Sequence, residues 1–261
     1  MITLFHAPQT RSGRLVWLME EIGQPYTLHY CPIVRGDGSG GRDPGNPHPD
    51  GKVPALLHDR VLVTESLAIA LYLTELFPEA GLGAPVGSPE RGPFLTWLAW
   101  TAGELEPAFW SMITGSAQGD AMATTRFQQV ISRLLNALEE GPYLMGERFS
   151  AVDVMVASCL AWGRAHAPAG PLLDAYLERV TQRPAGLRAQ SQEHGVEFGA
   201  DLRHADVGAD AAVQTGLDAQ VQNALDLGVE DVARAFVPRG PQVPAQQVGQ
   251  PAIDARRPVH G

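Results

Sequence analysis

Lysine is nearly absent from this chain: Lys52 stands alone beside 18 arginines in 261 residues. Cysteine is almost as scarce. Cys31 and Cys159 lie far apart and outside any CxxC spacing, which excludes a disulfide framework and a thioredoxin-type redox pair. Both read as buried apolar fillers. The eight histidines form no HExxH, HxH or Cys/His grouping, so no metal is expected. No apolar run reaches the length of about 18 residues that a membrane span needs, and Met1-Ile2-Thr3-Leu4-Phe5 lacks the cationic start of an export signal. No membrane partner is expected, and the expected compartment is the cytoplasm. A net charge of −10 argues against non-specific nucleic-acid binding, which needs clustered cations. It does not exclude a small anionic ligand, because one local site can be positive on an acidic protein. Charged residues make up 18 % and the hydrophobic set 44 %, an ordinary soluble balance. The length suits two domains of about 100 to 200 residues each.

Residues 51–78, GKVPALLHDRVLVTESLAIALYLTELFP, are the most informative stretch. Ala55-Leu56-Leu57 and Val61-Leu62-Val63 are short apolar runs around His58-Asp59-Arg60, the pattern of a hairpin with a polar tip. A helix follows, capped by Thr64 or Ser66, with Glu65 in its first turn and Pro78 as its stop. Leu67, Ile69, Leu71, Leu73, Leu76 and Phe77 make it apolar around much of its girth, which predicts a largely buried helix. Val53-Pro54 suggests extended backbone held open by a cis proline, leaving the N–H and C=O of Val53 to pair with another extended chain. Glu65-Ser66 falls at a helix N-terminus, where free N–H groups and the positive dipole end attract a carboxylate and Glu65 takes an ammonium. Together these would hold the zwitterionic end of an amino acid, with Lys52 adding a cation on the other side.

KVPALLHDRVLVTESLAIALYL resembles the thioredoxin-like domain of the cytosolic glutathione transferases, of the bacterial theta, beta or nu-like type. The resemblance covers roughly residues 1–200. It implies that the Val53-Pro54 backbone pairs with the cysteinyl residue of glutathione and that Glu65-Ser66 holds its γ-glutamyl end. Ile2-Thr3-Leu4-Phe5 reads as a first strand, residues 7–13 as a loop, and Leu15, Leu18, Met19 and Ile22 as a helix face ended by Gly23. Residues 25–30 return as a second strand, and this β-α-β order brings the Thr10 loop near Pro54. In that family the loop carries the Ser, Tyr or Cys that assists the thiol. Aligned on Arg14 and Gly23, the theta-like position falls on Thr10 and the beta-like cysteine nearer Arg11, with Ser12 one step on. The loop has no Tyr or Cys, so the thiolate donor stays between Thr10 and Ser12, with Arg11 as a stabilising charge. A thiol with a pKa near 8.5 needs about 2.7 kcal/mol of preferential stabilisation to ionise two pH units lower.

The Gly/Pro/Asp-rich stretch from Val34 to Gly51 reads as a flexible loop, and residues 79–87 as a linker. Ser88-Pro89-Glu90 opens a helix with Leu95, Leu98, Ala102 and Leu105 on one face. A second helix carries Phe127, Ile131, Leu134, Leu135 and Leu138 and ends at Gly141-Pro142. Ser150 and Asp153 form a capping box with a Phe149–Val154 staple, starting a central helix that buries Val152, Met155, Val156, Cys159 and Leu160 along one side. A last helix through Leu172, Leu173, Tyr176, Leu177 and Val180 precedes Arg183-Pro184. The expected architecture is α/β plus all-α: a thioredoxin-like N-terminal domain (1–78), then an all-helical C-terminal domain (88–200). The rest, 201–261, reads as an atypical, partly disordered tail in which Val213, Leu217, Val221 and Leu225 form a narrow amphipathic helix.

The resemblance implies a homodimeric glutathione transferase that uses glutathione as cosubstrate and attacks a small electrophile, with Trp100, Glu104 and Trp110 as candidates to face it. The alternatives are a glutathione-dependent disulfide reductase or peroxidase, and a non-catalytic binding or assembly module of the same fold.

Overall fold

The apolar pattern of the first 77 residues becomes a four-stranded sheet with two helices. A computed structural model describes residues 1–35 and 38–194; the expected tail at 201–261, with its helix around Leu217, lies outside the described residues. Strand β1 (Ile2–His6) is central, with its side chains almost wholly buried. It runs parallel to β2 (Thr27–Tyr30) and antiparallel to β3 (Ala55–His58), which forms a hairpin with β4 (Val61–Thr64), giving the order β2-β1-β3-β4. The connection between β1 and β2 is α1 (Gly13–Ile22), which ends where Gly23, at φ 72°, turns its N–H onto Met19 O. That left-handed conformation costs glycine least.

Helix α2 (Ser66–Leu76) departs from expectation in two ways. No side chain caps it: Glu65 holds the N-cap position at φ 68°, ψ 124° without a side-chain hydrogen bond. Only Ile69, Ala70, Leu73 and Thr74 are buried, while Leu67, Leu71, Tyr72 and Leu76 stay half-exposed. One face suffices to cover the sheet, and the rest of the apolar girth is left without cover within one chain.

The helical part begins three residues later than Ser88, with α3 (Arg91–Trp100); Ser88 accepts from Glu90 N–H in a turn before it. A π-helical turn at Thr101–Leu105 then leads into α4 (Glu106–Ile113). Leu95 and Ala102 point outward, and Phe94, Leu98, Thr101 and Leu105 point inward at helical spacings of four, three and four residues. Such insertions recur at functional sites, and here Glu106 follows the turn directly. Helix α5 (Ala121–Glu140) starts on an Asp120 carboxylate that accepts from Met122 and Ala123 N–H. The capping box at Ser150 and Asp153 opens α6 (Ala151–Trp162), whose residues from Ala151 to Ala161 are buried on every side rather than along one. Helix α7 (Pro171–Thr181) is not the last, because Pro184 starts α8 (Pro184–His194).

Helix α8 locks onto α1 through a polar seam. Arg183 grips Glu21 with two bonds of 2.7 and 2.8 Å, and Arg188 and Gln192 hold Glu20 at 2.8 and 3.0 Å. Beneath that seam one continuous apolar cluster joins Leu15, Leu18 and Leu56 of the sheet layer to Phe94, Leu160 and Tyr176 of the helical layer. Each fully buried side chain of this kind contributes about 1.5 to 3 kcal/mol, so the two layers are fixed relative to each other by their shared core. Where they meet, above the loop that precedes α1, a cavity remains.

Candidate functional site

The loop of residues 7–12 is held by a tight set of bonds. Thr10 Oγ1 donates to Ala7 O at 2.7 Å and lies 2.6 Å from Ser12 Oγ, while Ser12 N–H returns to Thr10 Oγ1 at 3.2 Å. Ser12 Oγ also meets His6 Nδ1 at 2.8 Å and Ala7 N–H at 3.2 Å. Ser12 is wholly buried, whereas Thr10 is half-buried and stands on the cavity wall. The two candidates therefore separate into a hydroxyl that faces the cavity and one that supports it from behind.

The cavity has a volume of about 560 Å³ and opens between the α1 loop, the segment before β3, and helices α4 and α6. Thr10, Arg11, Lys52 and Val53 share its wall. The Val53–Pro54 peptide is cis, as the sequence reading expected, and Pro54 itself is buried. Lys52 is 71 % exposed and reaches Asp50 at 3.4 Å. Glu65 and Ser66 stand outside the cavity wall. The β3–β4 register pairs Ala55 with Thr64, which sets them beside Val53 and Pro54 across the ladder. The segment from Val34 to Gly51, expected to be flexible, is fastened in its second half. Asn46 and His48 are buried, Asn46 donates to Lys52 O at 2.9 Å, and Arg42 donates to Pro49 O at 3.0 Å.

Of the three residues expected to face a second substrate, only Trp110 lines the cavity. Trp100 is buried edge-on against Trp97 under Arg133, and Glu104 pairs with Arg126 on α5. Trp110 lines the cavity and stacks on Trp162 at 5.5 Å with an interplanar angle of 9°. Sequence reading missed Trp162, which lies in a helix read only for its core. It also missed Glu106. The Glu106 carboxylate receives Arg11 Nε at 2.9 Å and an Arg14 nitrogen, closing an ion triad on the cavity wall. Burial alone would raise the Glu106 pKa, but the two guanidinia outweigh it and hold the group below the ordinary carboxylate value. Arg11 and Arg14 are thus partly neutralised as anion ligands.

One group capable of holding a metal escaped the motif search, because it forms only through the fold. The ligand atoms of His29, Cys31 and Asp43 come within 4.8 Å of one another. They satisfy each other as hydrogen-bond partners: His29 Nε2 meets Asp43 Oδ2 at 2.7 Å. Burial pushes the Cys31 thiol up to about 12, and the carboxylate beside it acts in the same direction. Cys159 is likewise buried, on the cavity wall, with its thiol raised by burial to about 12. Neither cysteine is an ionised nucleophile at neutral pH.

Residues 11–76 match the glutathione S-transferase N-terminal domain family and residues 120–182 the glutathione S-transferase C-terminal domain family. Glutathione S-transferase GstA of Escherichia coli O157:H7 is 29 % identical over 196 residues, covering 73 % of this chain and 98 % of that protein. The crystal structure of a glutathione transferase from Methylococcus capsulatus superposes with a TM-score of 0.64 at 30 % identity, over 75 % of this chain and all of the other. A sphingomonad glutathione S-transferase complexed with glutathione gives a TM-score of 0.63 at 28 % identity, over 74 % and 98 % of the two chains. The thioredoxin-like sheet, the helical layer behind it and these likenesses agree, and the chain belongs to the glutathione S-transferase family.

Proposed function

We propose that the protein is a glutathione transferase whose cavity holds the thiol of glutathione against the Thr10 hydroxyl for attack on a small electrophile. The observation that carries this reading is the shared wall: Thr10 from the α1 loop and Val53 beside the cis-Pro54 open onto one cavity. An extended tripeptide pairing with Val53 would run along β3 toward Ser66, where the uncapped N-terminus of α2 offers N–H groups to its γ-glutamyl carboxylate. Glu65 stands at the same end to take the ammonium, and Lys52 on the cavity wall adds a cation for the ligand. The Trp110–Trp162 stack is the apolar wall for the electrophile. Thr10 is the assigned donor to the thiolate, and Ser12 orients it from behind. The protein then contributes proximity and electrostatic stabilisation to a nucleophile carried by the cosubstrate.

Ultraviolet absorbance of the thiolate, followed against pH in the complex with glutathione, tests the assignment: ionisation well below about 8.5 supports it, and an unshifted thiol removes it. Thr10→Val keeps the shape and loses the hydroxyl. Turnover near neutral pH should fall about 10- to 100-fold, the worth of one charge-assisted hydrogen bond, and recover toward wild type where the thiol ionises unaided. A loss equal at every pH would assign Thr10 to folding. Ser66→Ala should weaken glutathione binding by roughly 1 to 3 kcal/mol in calorimetry; unchanged affinity would take Ser66 out of the site.

A homodimer is the assembly we assign. It is supported by the apolar residues of α2 left half-exposed in a single chain, and light scattering of the intact protein decides it. No helix among the described residues is long and apolar enough to cross a membrane. We assign the cytoplasm on two buried, unpaired cysteines.

A further inference from the structure

A thiol that ionises must give its proton to something, and a hydroxyl such as Thr10 passes a proton on without keeping it. Behind Thr10 stands a line of buried groups. Thr10 Oγ1 is 2.6 Å from Ser12 Oγ, and Ser12 Oγ is 2.8 Å from His6 Nδ1. On the far side of the ring, His6 Nε2 faces Glu193 Oε1 of α8 at 3.4 Å. His6 is wholly inaccessible and the Glu193 side chain is 5 % exposed. Neither His6 Nε2 nor Glu193 Oε1 has a hydrogen-bond partner among the described residues. Among the described residues these two buried polar atoms face each other.

The seat of Glu193 is built by the fold. Its second oxygen accepts Gln9 N–H at 2.7 Å. Gly13 leaves the space for it, since a Cβ at that position would collide with Glu193 Oε1.

We propose that Thr10, Ser12, His6 and Glu193 form a proton wire that takes the thiol proton of bound glutathione inward to the Glu193 carboxylate; this rests on the assignment of the cavity to glutathione. For transfer, the Thr10 O–H turns from Ala7 O to Ser12 Oγ, Ser12 O–H donates to His6 Nδ1, His6 Nε2–H closes its 3.4 Å approach to Glu193 Oε1, and the thiol donates to Thr10 Oγ1. Four protons then move one place each. The S–H, Thr10 O–H, Ser12 O–H and His6 Nε2–H bonds break. New Thr10 O–H, Ser12 O–H, His6 Nδ1–H and Glu193 O–H bonds form. One negative charge leaves Glu193 and appears on sulfur, the imidazole is neutral before and after, and the Thr10 hydroxyl ends as donor to the thiolate. The same chain therefore makes the nucleophile and stabilises it.

The surroundings suit both ends. Burial lowers the His6 pKa to about 4, so the ring is neutral and its contact with Glu193 is not an ion pair at neutral pH. Burial raises Glu193 to about 7, against a small opposing pull from Gln9 N–H. From β2, Tyr30 sets its ring against His6 at 5.5 Å, and burial together with the Glu193 charge pushes its phenol up. From α1, Arg11 and Arg14 are committed to Glu106, while Glu20 and Glu21 are paired with Arg188 and Arg183. On α7, Arg179 turns to Pro142 O. Among the described residues, no arginine or lysine comes within ion-pair distance of Glu193.

The test is a proton count on the full-length protein. Glutathione is titrated calorimetrically at about pH 7, where Glu193 is partly ionised in the free protein and can keep a proton delivered to it, in buffers of different ionisation enthalpy, with thiolate absorbance read on the same samples. Wild type should release clearly less than one proton to buffer for each thiolate formed. Glu193→Gln should hold about tenfold less thiolate at neutral pH, and the thiolate it does form should release a full proton. A full proton per thiolate in wild type overturns the wire, and needs no variant to fold. An unchanged thiol titration in a folded Glu193→Gln protein overturns it as well. A wild-type thiol with no shift brings down the glutathione assignment and the wire together, whereas an activated thiol with full release brings down the wire alone.

Discussion

Asp153→Ala should lower the free energy of unfolding by roughly 4 kcal/mol, a large part of the 5 to 15 kcal/mol typical of a folded chain. Asp153 is wholly buried at the start of α6. Its Oδ1 accepts Leu144 N–H at 3.0 Å and Tyr176 O–H at 3.2 Å, and its Oδ2 accepts Ser150 N–H at 2.9 Å. Alanine would leave these donors buried without a partner and would dissolve half of the capping box. Burial pushes the Asp153 pKa up even though the Leu144 and Ser150 amides pull it down, so the carboxylate is retained for its geometry. Asp153→Asn should be nearly as harmful, since an amide turns one NH₂ toward a donor that needs an oxygen. Urea unfolding measures both changes through the midpoint. An Asn variant as stable as wild type would show that one oxygen suffices. The consequence reaches the site, because α6 carries Ser158, Cys159 and Trp162 on the cavity wall.

Glu106→Ala is expected to cost roughly 3 kcal/mol, the scale for removing one partner of a buried ion pair. The loss arises chiefly from what remains. Arg14 is 6 % exposed and its Nε has no hydrogen-bond partner among the described residues, so without Glu106 a buried guanidinium keeps its charge uncompensated there. Arg11, at 55 % exposure, turns to solvent at little cost. A double replacement, Arg14→Met with Glu106→Met, should recover most of the loss, because it removes both charges and fills the volume. If the double variant is no more stable than Glu106→Ala, packing and not charge sets the cost. The pH dependence has a definite sign. The folded pKa of Glu106 lies below its unfolded value, so the triad's stabilisation is present above the unfolded carboxylate pKa. It is lost as pH falls through the folded value. Glu106→Ala should therefore approach wild-type stability in acid.

Local chemistry made the sequence legible where a few neighbouring residues decide the outcome. The hairpin of β3 and β4 follows from two short apolar runs around a polar tip, and the Gly23 stop of α1 from a left-handed position. The Ser150–Asp153 box follows from a spacing of three residues that suits no other local structure as well. Thr10 and Val53 meet because a β-α-β crossover leaves the first loop beside the next segment of chain. Periodicity misled where two faces of one helix both carry apolar residues: the buried face runs through Phe94, Leu98, Thr101 and Leu105, whereas Leu95 and Ala102 lie on the exposed side, and Glu106 acts through arginines that only the fold brings near. Helix α8 is weakly apolar and was passed over, since polar bonds from Arg183, Arg188 and Gln192 to α1 hold it.

The sequence by itself therefore determined the family, the thioredoxin-like order of elements and the loop that carries Thr10 to the cavity wall, because each rests on residues within a few positions of one another. Tertiary structure alone decided which hydroxyl faces the cavity, which tryptophans line it, and that Glu106 and Glu193 close on the α1 loop from 95 and 184 residues away in the chain. Contacts of that reach depend on how two layers settle on a common core, and burial then sets the charge of each group they bring together.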